Sequence, residues 1–277
     1  MRIFLTGGSG FIGRNIIEHL AVDHDIFAPT HQELELTDTN AVYRYLEKHP
    51  VDIVIHSANI GGNRKQKNVN GILNINLKIF FNLIRSKRFF DRMITLGSGA
   101  EYDKKYPIIQ IRESDFGNRI PSDEYGFYKY ICSQYASGVE FITHLRLFSV
   151  IGKYEDAEIR FVSNTILKVL RKDPVEIYRN ILFDYLSIED FIRILNTIIL
   201  KKPSRKFLNI GSGNGFDLKT IAKKIIQEVG IEVPILILNM GDWKEYTCNI
   251  DCLKMEMGAF SFNPIENSIA KMVAYFQ

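Results

Sequence analysis

The chain has 277 residues, 46% of them hydrophobic, which suits one large core or a core with an attached lobe and excludes a disordered chain. Its 35 Lys and Arg against 32 Asp and Glu leave a net charge of +3, too balanced for nucleic acid or an anionic membrane as the main partner. No apolar run is long enough to span a bilayer, and Met1–Thr6 lacks a signal-peptide layout. The three cysteines, Cys132, Cys248 and Cys252, lack zinc-site spacing, so they read as reduced thiols of a cytoplasmic protein without a metal site.

Apolar runs alternate with helix-period segments from the start. Ile3–Thr6 reads as a buried strand and Phe11–Leu20 as a helix, with apolar residues at Phe11, Ile12, Ile16, Ile17 and Leu20. Asp25–Ala28 reads as a short strand, Asn40–Lys48 as an amphipathic segment and Val51–His56 as an apolar strand. Asn70–Arg85 reads as a long helix, Met93–Leu96 as a strand, Tyr125–Ser137 as a helix and His144–Ile151 as a strand. This βαβ rhythm predicts an α/β fold, a doubly wound parallel sheet covered on both faces.

The rhythm loosens after Gly152. Ile159–Lys172, Ser187–Leu200, Leu218–Glu228 and Ile265–Phe276 look helical, and Val175–Tyr178 and Phe207–Ile210 look like strands. Gly241–Lys244 reads as a late loop, in which Trp243 has either a packing or a lid role. No Pro/Ser linker or repeat separates the halves. Residues 1–157 are expected to form most of a Rossmann-like unit and 158–277 most of a small C-terminal lobe, with about 181–210 returning to the first unit.

Two motifs carry chemistry. Thr6-Gly7-Gly8-Ser9-Gly10-Phe11-Ile12-Gly13 follows the first strand and opens the first helix. Gly7 permits the tight turn, Gly10 lets the backbone approach a pyrophosphate at the helix N-terminus, and Gly13 lets helix and sheet pack closely. These positions point to a dinucleotide, although a Gly-rich turn alone is a weak signal. The next strand ends in Ala28-Pro29-Thr30-His31, without the carboxylate that bonds the ribose of NAD. Arg14 faces either a 2′-phosphate or solvent, which favours NADP(H) with NAD(H) possible, and His31 is either a cofactor neighbour or a plain loop residue.

Tyr125 and Lys129 lie four residues apart on one helix face. An ammonium beside the phenol would lower the Tyr125 pKa and ready it for proton exchange. Alone, this pair is equally an amphipathic helix with a snorkelling lysine. Ser98, directly after the Met93–Leu96 strand, sits at the C-terminal sheet edge and would bond the same substrate oxygen. Glycine turn, strand-end Ser and the Tyr–Lys pair occur in one order, and their conjunction is stronger than any part. His56 reads as structural, and no partner for His144 is evident.

The segments TGGSGFIG, LGSGAEY and YGFYK resemble the extended short-chain dehydrogenase/reductases of the NAD-dependent epimerase/dehydratase family, with a GDP-L-fucose synthase-like flavour. The segment His31–Gly62 is similar to the corresponding family stretch, as are Leu145–Gly152, Asp184–Asp190 and Asn209–Gly213. The resemblance implies Ser98, Tyr125 and Lys129 as catalytic. It implies Gly7, Ser9, Gly10, Phe11, Ile12, Gly13, Arg14, His31, Asp38, Ser57, Ala58, Asn76 and Phe148 around the cofactor. Substrate contacts are then Ser98, Gly99, Ser149, Arg160 and Arg179, and the long helix and the Tyr125 helix imply a homodimer.

Several positions depart from the family pattern. Gly99 and Ala100 replace the Asp-Glu pair of the dehydratases, and Ala100 replaces a Cys of the fucose synthase pattern. Arg160-Phe161 occupies the region of its acidic His, and Phe183 replaces a diphosphate-binding Arg. The leading expectation is an NADPH-dependent reductase of a nucleotide-linked 4-keto sugar. The alternatives are a redox-neutral 4-epimerase with tightly held NAD and a non-catalytic nicotinamide-nucleotide-binding protein.

Overall fold

The computed structural model describes residues 1–61 and 70–277, with only the backbone of Met240, Asp242 and Trp243. Gly62, which closes the family-like stretch, and the Trp243 side chain therefore lie outside the described residues. The first half forms β1 (Arg2–Thr6), α1 (Phe11–Leu20), β2 (Asp25–Phe27), α2 (Thr39–Lys48), β3 (Val51–His56), α3 (Ile72–Arg85) and β4 (Phe90–Ser98). It continues through β5 (Ile108–Ile111), α4 (Glu124–Ser137), β6 (Ile142–Leu147) and β7 (Ser149–Ile151). The second half forms α5 (Phe161–Leu170), β8 (Val175–Ser187), α6 (Ile188–Leu200), β9 (Phe207–Ile210) and β10 (Gly215–Asp217). It ends with α7 (Leu218–Val229), β11 (Ile235–Cys248), α8 (Asp251–Met257) and α9 (Ile265–Phe276).

Six parallel strands form the main sheet in the order β2-β1-β3-β4-β6-β9. Its strands are apolar on both sides because both faces are covered. Ile3 and Leu5 pack with α1 and α6 residues such as Ile16 and Phe191, while Phe4 packs with Val42 of α2 and Phe80 of α3. The chain leaves β1 toward β2 and then crosses back to β3, so the direction of winding switches between β1 and β3. The C-terminal ends of those strands form the crevice where doubly wound sheets bind ligands.

The expected strand His144–Ile151 is two strands. β6 stays in the main sheet, the chain breaks at Phe148, and β7 pairs instead with the end of β8. A second sheet runs β10-β8-β11-β5. The expected loop Gly241–Lys244 lies within β11, whose pairing with β8 shifts register between Asn239 and Lys244. Gly and Asp break the apolar pattern there, so the strand is hidden from a reading of periodicity. Helices α5, α7 and α9 pack on β8 around Ile166, Ile225 and Ile269. Helix α6 returns to pack on α1, and β9 joins the edge of the main sheet.

The glycine turn supplies a direct test of packing. A Cβ on Gly13 would lie 2.1 Å from the Gly7 carbonyl oxygen and 2.7 Å from the Gly8 Cα, both backbone atoms with little freedom to move. Gly13→Ala should therefore destabilise the fold by roughly 2–3 kcal/mol in urea unfolding. Gly10→Ala, whose Cβ would meet only the Gly7 carbonyl oxygen at 3.4 Å, should stay within about 1 kcal/mol of the parent. A Gly13→Ala protein as stable as the parent would show that the close approach of helix and turn does not constrain this site.

Candidate active site

The turn after β1 has the geometry of a phosphate cradle. Gly7 is left-handed (φ +74°), and a Cβ there would lie 2.7 Å from the Ala58 amide. The Gly10 N–H donates to the Gly7 carbonyl (3.1 Å), and Gly10 N-caps α1 with no side-chain cap and no acidic residue in the first turn. The N–H groups of that helix end are therefore left without a capping side chain, an arrangement by which helix N-termini hold phosphate. A Cβ on Gly10 would meet only the Gly7 carbonyl oxygen, at 3.4 Å. Ser9 is exposed beside it, and Phe11 and Ile12 are half-buried. Thr6 and His56 hydrogen-bond at 2.9 Å, and the Ala58 N–H donates to Thr6 Oγ1 (3.2 Å), which fixes Ser57-Ala58 across the turn. Burial holds His56 at about 3, so it is a neutral tether.

Other expected cofactor neighbours have structural partners. Asp38 N-caps α2, accepting from the Asn40 and Ala41 amides. Asn76 is buried and clamps both the N–H and the C=O of Ile60. His31 is exposed and pairs with Glu35 (3.3 Å). Arg14 stacks its guanidinium 3.7 Å over the Tyr154 ring, and Tyr154 is itself left-handed (φ 73°).

Ser98, Tyr125 and Lys129 come together at the end of β4. The Ser98 hydroxyl accepts from the Ala100 N–H (3.1 Å) and lies near enough to the Tyr125 phenol to favour its ionised form. The Asp123 carboxylate N-caps α4, accepting from the Gly126 N–H (2.9 Å) in the turn that carries Tyr125. Lys129 is buried, donates to the Leu96 carbonyl (2.5 Å) and lies 5.9 Å from the Tyr125 ring centre. Burial brings Lys129 down to about 8. The expectation that Lys129 lowers the Tyr125 pKa is corrected: burial pushes the phenol up, opposed by the nearby Ser98 hydroxyl and the Arg160 charge. The ammonium is engaged by a backbone carbonyl, so desolvation dominates.

Sequence reasoning missed the ionic network beneath this site. Glu101 is fully buried and bonds His144 Nε2 (2.9 Å), Arg146 Nε (2.7 Å) and the Ser98 N–H (2.9 Å). Burial works to raise its carboxyl, but the charges of His144 and Arg146 outweigh that and hold it at about 2. A carboxylate only accepts, so His144 donates from Nε2, while its Nδ1 hydrogen-bonds the Thr95 hydroxyl (2.6 Å). Arg146 also donates to Ser133 (2.7 Å) and Tyr102 (3.3 Å). A Cβ on Gly97 would lie 2.3 Å from His144 and 2.4 Å from Glu101, so this pair dictates the glycine before Ser98. An acidic residue three positions after a strand-end Ser, with His and Arg two apart on a later strand, is the signal that was available.

A cleft of about 1190 Å³ opens beside Tyr125, lined by Ser149, Glu155, Arg160, Arg179 and Phe183 among others. Arg160 N-caps α5 and lies close enough to Tyr125 to favour its ionised form. Arg179 comes from β8, and its Nε is buried without a hydrogen-bond partner among the described residues. Glu155, unnoticed in the sequence, is buried at the cleft wall, and desolvation raises it to about 7 against a hydrogen bond from Ser163. Gly99 and Phe148 face inward rather than into the cleft: a Cβ on Gly99 would lie 2.5 Å from the Tyr246 hydroxyl and 2.8 Å from the Phe148 ring. Tyr246, also missed, packs its ring against Phe148 and brings its hydroxyl beside Gly99. Asp184 of the family-like run accepts from the Ser212 and Gly213 amides (2.7 and 2.9 Å), so the second pair of similar segments forms a structural clamp.

Residues 3–211 match the model of the NAD dependent epimerase/dehydratase family. GDP-L-colitose synthase of Yersinia pseudotuberculosis is 30% identical over 110 residues, 38% of this chain, and the match spans only 35% of that relative. GDP-6-deoxy-D-talose 4-dehydrogenase of Aggregatibacter actinomycetemcomitans is 25% identical over 238 residues, 80% of this chain and 78% of the relative. The fold is shared with a GDP-L-fucose synthetase from Naegleria fowleri bound to NADP, at a TM-score of 0.83 and 17% identity over 99% of this chain and 92% of that one.

Replacing Glu101 by Leu would leave Arg146 buried without its counter-charge, and should cost roughly 3–5 kcal/mol in urea unfolding. Glu101→Gln, which keeps an acceptor for the Ser98 N–H, should cost less. Equal and small losses in both variants would show that the network carries no net charge pairing.

Proposed function

The chain belongs to the NAD dependent epimerase/dehydratase family, and we propose that within it the protein is an NADPH-dependent reductase of a nucleotide-linked 4-keto sugar. The observation that carries this reading is the placing of Tyr125, with Ser98 beside it and buried Lys129 behind, on the wall of a cleft large enough for a nucleotide sugar. The curated relatives named above are GDP-sugar enzymes, which supports the substrate class. Arg14 and the missing carboxylate after β2 support NADPH.

In this reading Gly7, Gly10 and Gly13 shape the turn that seats the cofactor diphosphate on the α1 N-terminus. The nicotinamide, when bound, supplies hydride for the carbonyl carbon. Tyr125 gives the carbonyl oxygen its proton, Ser98 holds that oxygen in line, and Lys129 places a positive charge behind the phenol. Ser149, Arg160 and Arg179 line the cleft where the sugar and its diphosphate would lie. Burial keeps Tyr125 protonated, which suits a proton donor.

The purified protein should release no stoichiometric nicotinamide nucleotide on denaturation and should then bind NADPH more tightly than NADH. Gly10→Ala should weaken that binding at least about tenfold while leaving the fold intact. Tyr125→Phe should cut turnover of 4-keto nucleotide sugars by roughly 10²–10⁴-fold and leave NADPH binding within a few-fold. Release of stoichiometric NAD would instead identify a redox-neutral 4-epimerase, and turnover surviving in Tyr125→Phe would sink the assigned mechanism.

A further inference from the structure

Glu155 stands on the segment between β7 and α5, only 6% exposed, yet it lines the same cleft as Tyr125 and Ser149. Its Oε2 accepts from the Ser163 hydroxyl (2.8 Å) in the first turn of α5, and Ser163 is itself fully buried. That bond uses one of the roughly four acceptor positions of a carboxylate. Among the described residues Glu155 has no salt-bridge partner, although Arg160 and Asp156 of the same segment lie near it, as does the buried Tyr185 phenol of β8.

A buried carboxyl without a salt bridge costs free energy, and an apolar residue of similar size would pack there at lower cost. Ser163 does not require it, because the Ser163 hydroxyl also reaches the Arg160 carbonyl (3.4 Å). The packing of α5 therefore leaves the carboxyl unexplained, whereas its place in the cleft accounts for it. Ser149 pairs with Tyr185 on β8, and Arg179 stands six residues earlier on that strand, about 20 Å away at the rise of an extended chain. The cleft thus has one end at Arg179 and another at Ser149, Tyr185 and Glu155. A diphosphate suits Arg179 and is repelled by a carboxylate. A sugar hydroxyl both donates and accepts, so it suits a carboxyl in either form. Burial brings Glu155 up to about 7, so both forms are present at neutral pH.

We propose that Glu155 is a substrate-binding residue, its carboxyl hydrogen-bonding a hydroxyl of the sugar at the Ser149 end of the cleft. This rests on the reading of the cleft as a nucleotide-sugar site. Glu155 then selects for the sugar and not for the nucleotide, and Ser163 holds the carboxyl in place from behind. Glu155→Ala removes the contact, and Glu155→Gln keeps a side chain that both donates and accepts.

The test is titration calorimetry of the full chain with two pairs of probes, GDP-mannose against GDP and UDP-glucose against UDP. The parent should bind the sugar-bearing member of one pair more tightly than the bare nucleotide. For that pair, Glu155→Ala should weaken binding of the nucleotide sugar about tenfold and leave the bare nucleotide within about twofold. Glu155→Gln should stay within about threefold of the parent for both. Glu155→Leu, which keeps the bulk and brings no polar group, should behave as Glu155→Ala and stands in if that variant does not fold. Nucleotide-sugar binding unchanged in the Ala and Leu variants overturns the proposal, as does an equal loss for the sugar-bearing and bare ligands. A parent that binds neither pair fails at the earlier step: it overturns the nucleotide-sugar reading, and this inference with it.

Discussion

The candidate site is organised around one buried anion. Glu101 is reached by His144 and Arg146 from β6 and by the Ser98 amide at the end of β4. It therefore joins two neighbouring strands to the turn that carries Ser98. Buried ion pairs are weak sources of net stability, because desolvation offsets their attraction. Their effect here is geometric. Every oxygen of the carboxylate is engaged, so the turn has one arrangement in which no buried charge is left unpaired. Gly97 follows from the same constraint, since any side chain there would intrude on the pair. Arg146 carries the constraint onward through Ser133 into α4, the helix that bears Tyr125 and Lys129.

The break at Phe148 does the complementary task for the cleft. A continuous strand from Ile142 to Ile151 would have kept Ser149–Ile151 in the main sheet. By leaving it, the chain pairs β7 with β8 and brings the second sheet alongside the C-terminal edge of the first. Ser149, Arg179 and Phe183 then line one cleft with Tyr125. The same rearrangement carries β11 past Ser98 and delivers Tyr246. The second sheet is thus both the far wall of the cleft and part of the support for the site.

Much of the fold is legible in the sequence because both faces of the main sheet are buried. The apolar runs Ile3–Thr6, Val51–His56 and Phe207–Ile210 and the period of Phe11–Leu20 mark elements whose bounds match the structure to within a residue. Ser98, Tyr125 and Lys129 are legible because a strand end and a helix face fix their directions. β5, β10, β11 and α8 escape such reading. They are short, or half-exposed, or interrupted as at Gly241-Asp242, and their stability comes from pairing with distant strands. Glu101, Tyr246 and Glu155 escape for a related reason. Each is one polar residue whose meaning depends on what the folded chain brings to it, as with His144 and Arg146, which reach Glu101 from 43 and 45 residues away. The run Asp184–Asp190 and the segment Asn209–Gly213 show the converse. Their similarity to a family pattern is plain in the sequence, but the structure assigns Asp184 to a clamp on the Ser212-Gly213 turn.

The electrostatics of the pair Tyr125 and Lys129 bear on the direction of the proposed reaction. Burial raises the phenol and lowers the ammonium, so the protein alone favours a protonated Tyr125. Oxidising an alcohol needs that residue first as a base, whereas reducing a carbonyl needs it first as an acid. Tyr125 keeps its preference for the acid form beside a neutral, reduced nicotinamide and loses part of it beside an oxidised, cationic one. A redox-neutral epimerase must use the residue in both senses within one turnover, and is served best by a pKa near the working pH. The raised phenol and the absence of a carboxylate after β2 both support the proposed reading, a site that donates a proton to a carbonyl oxygen.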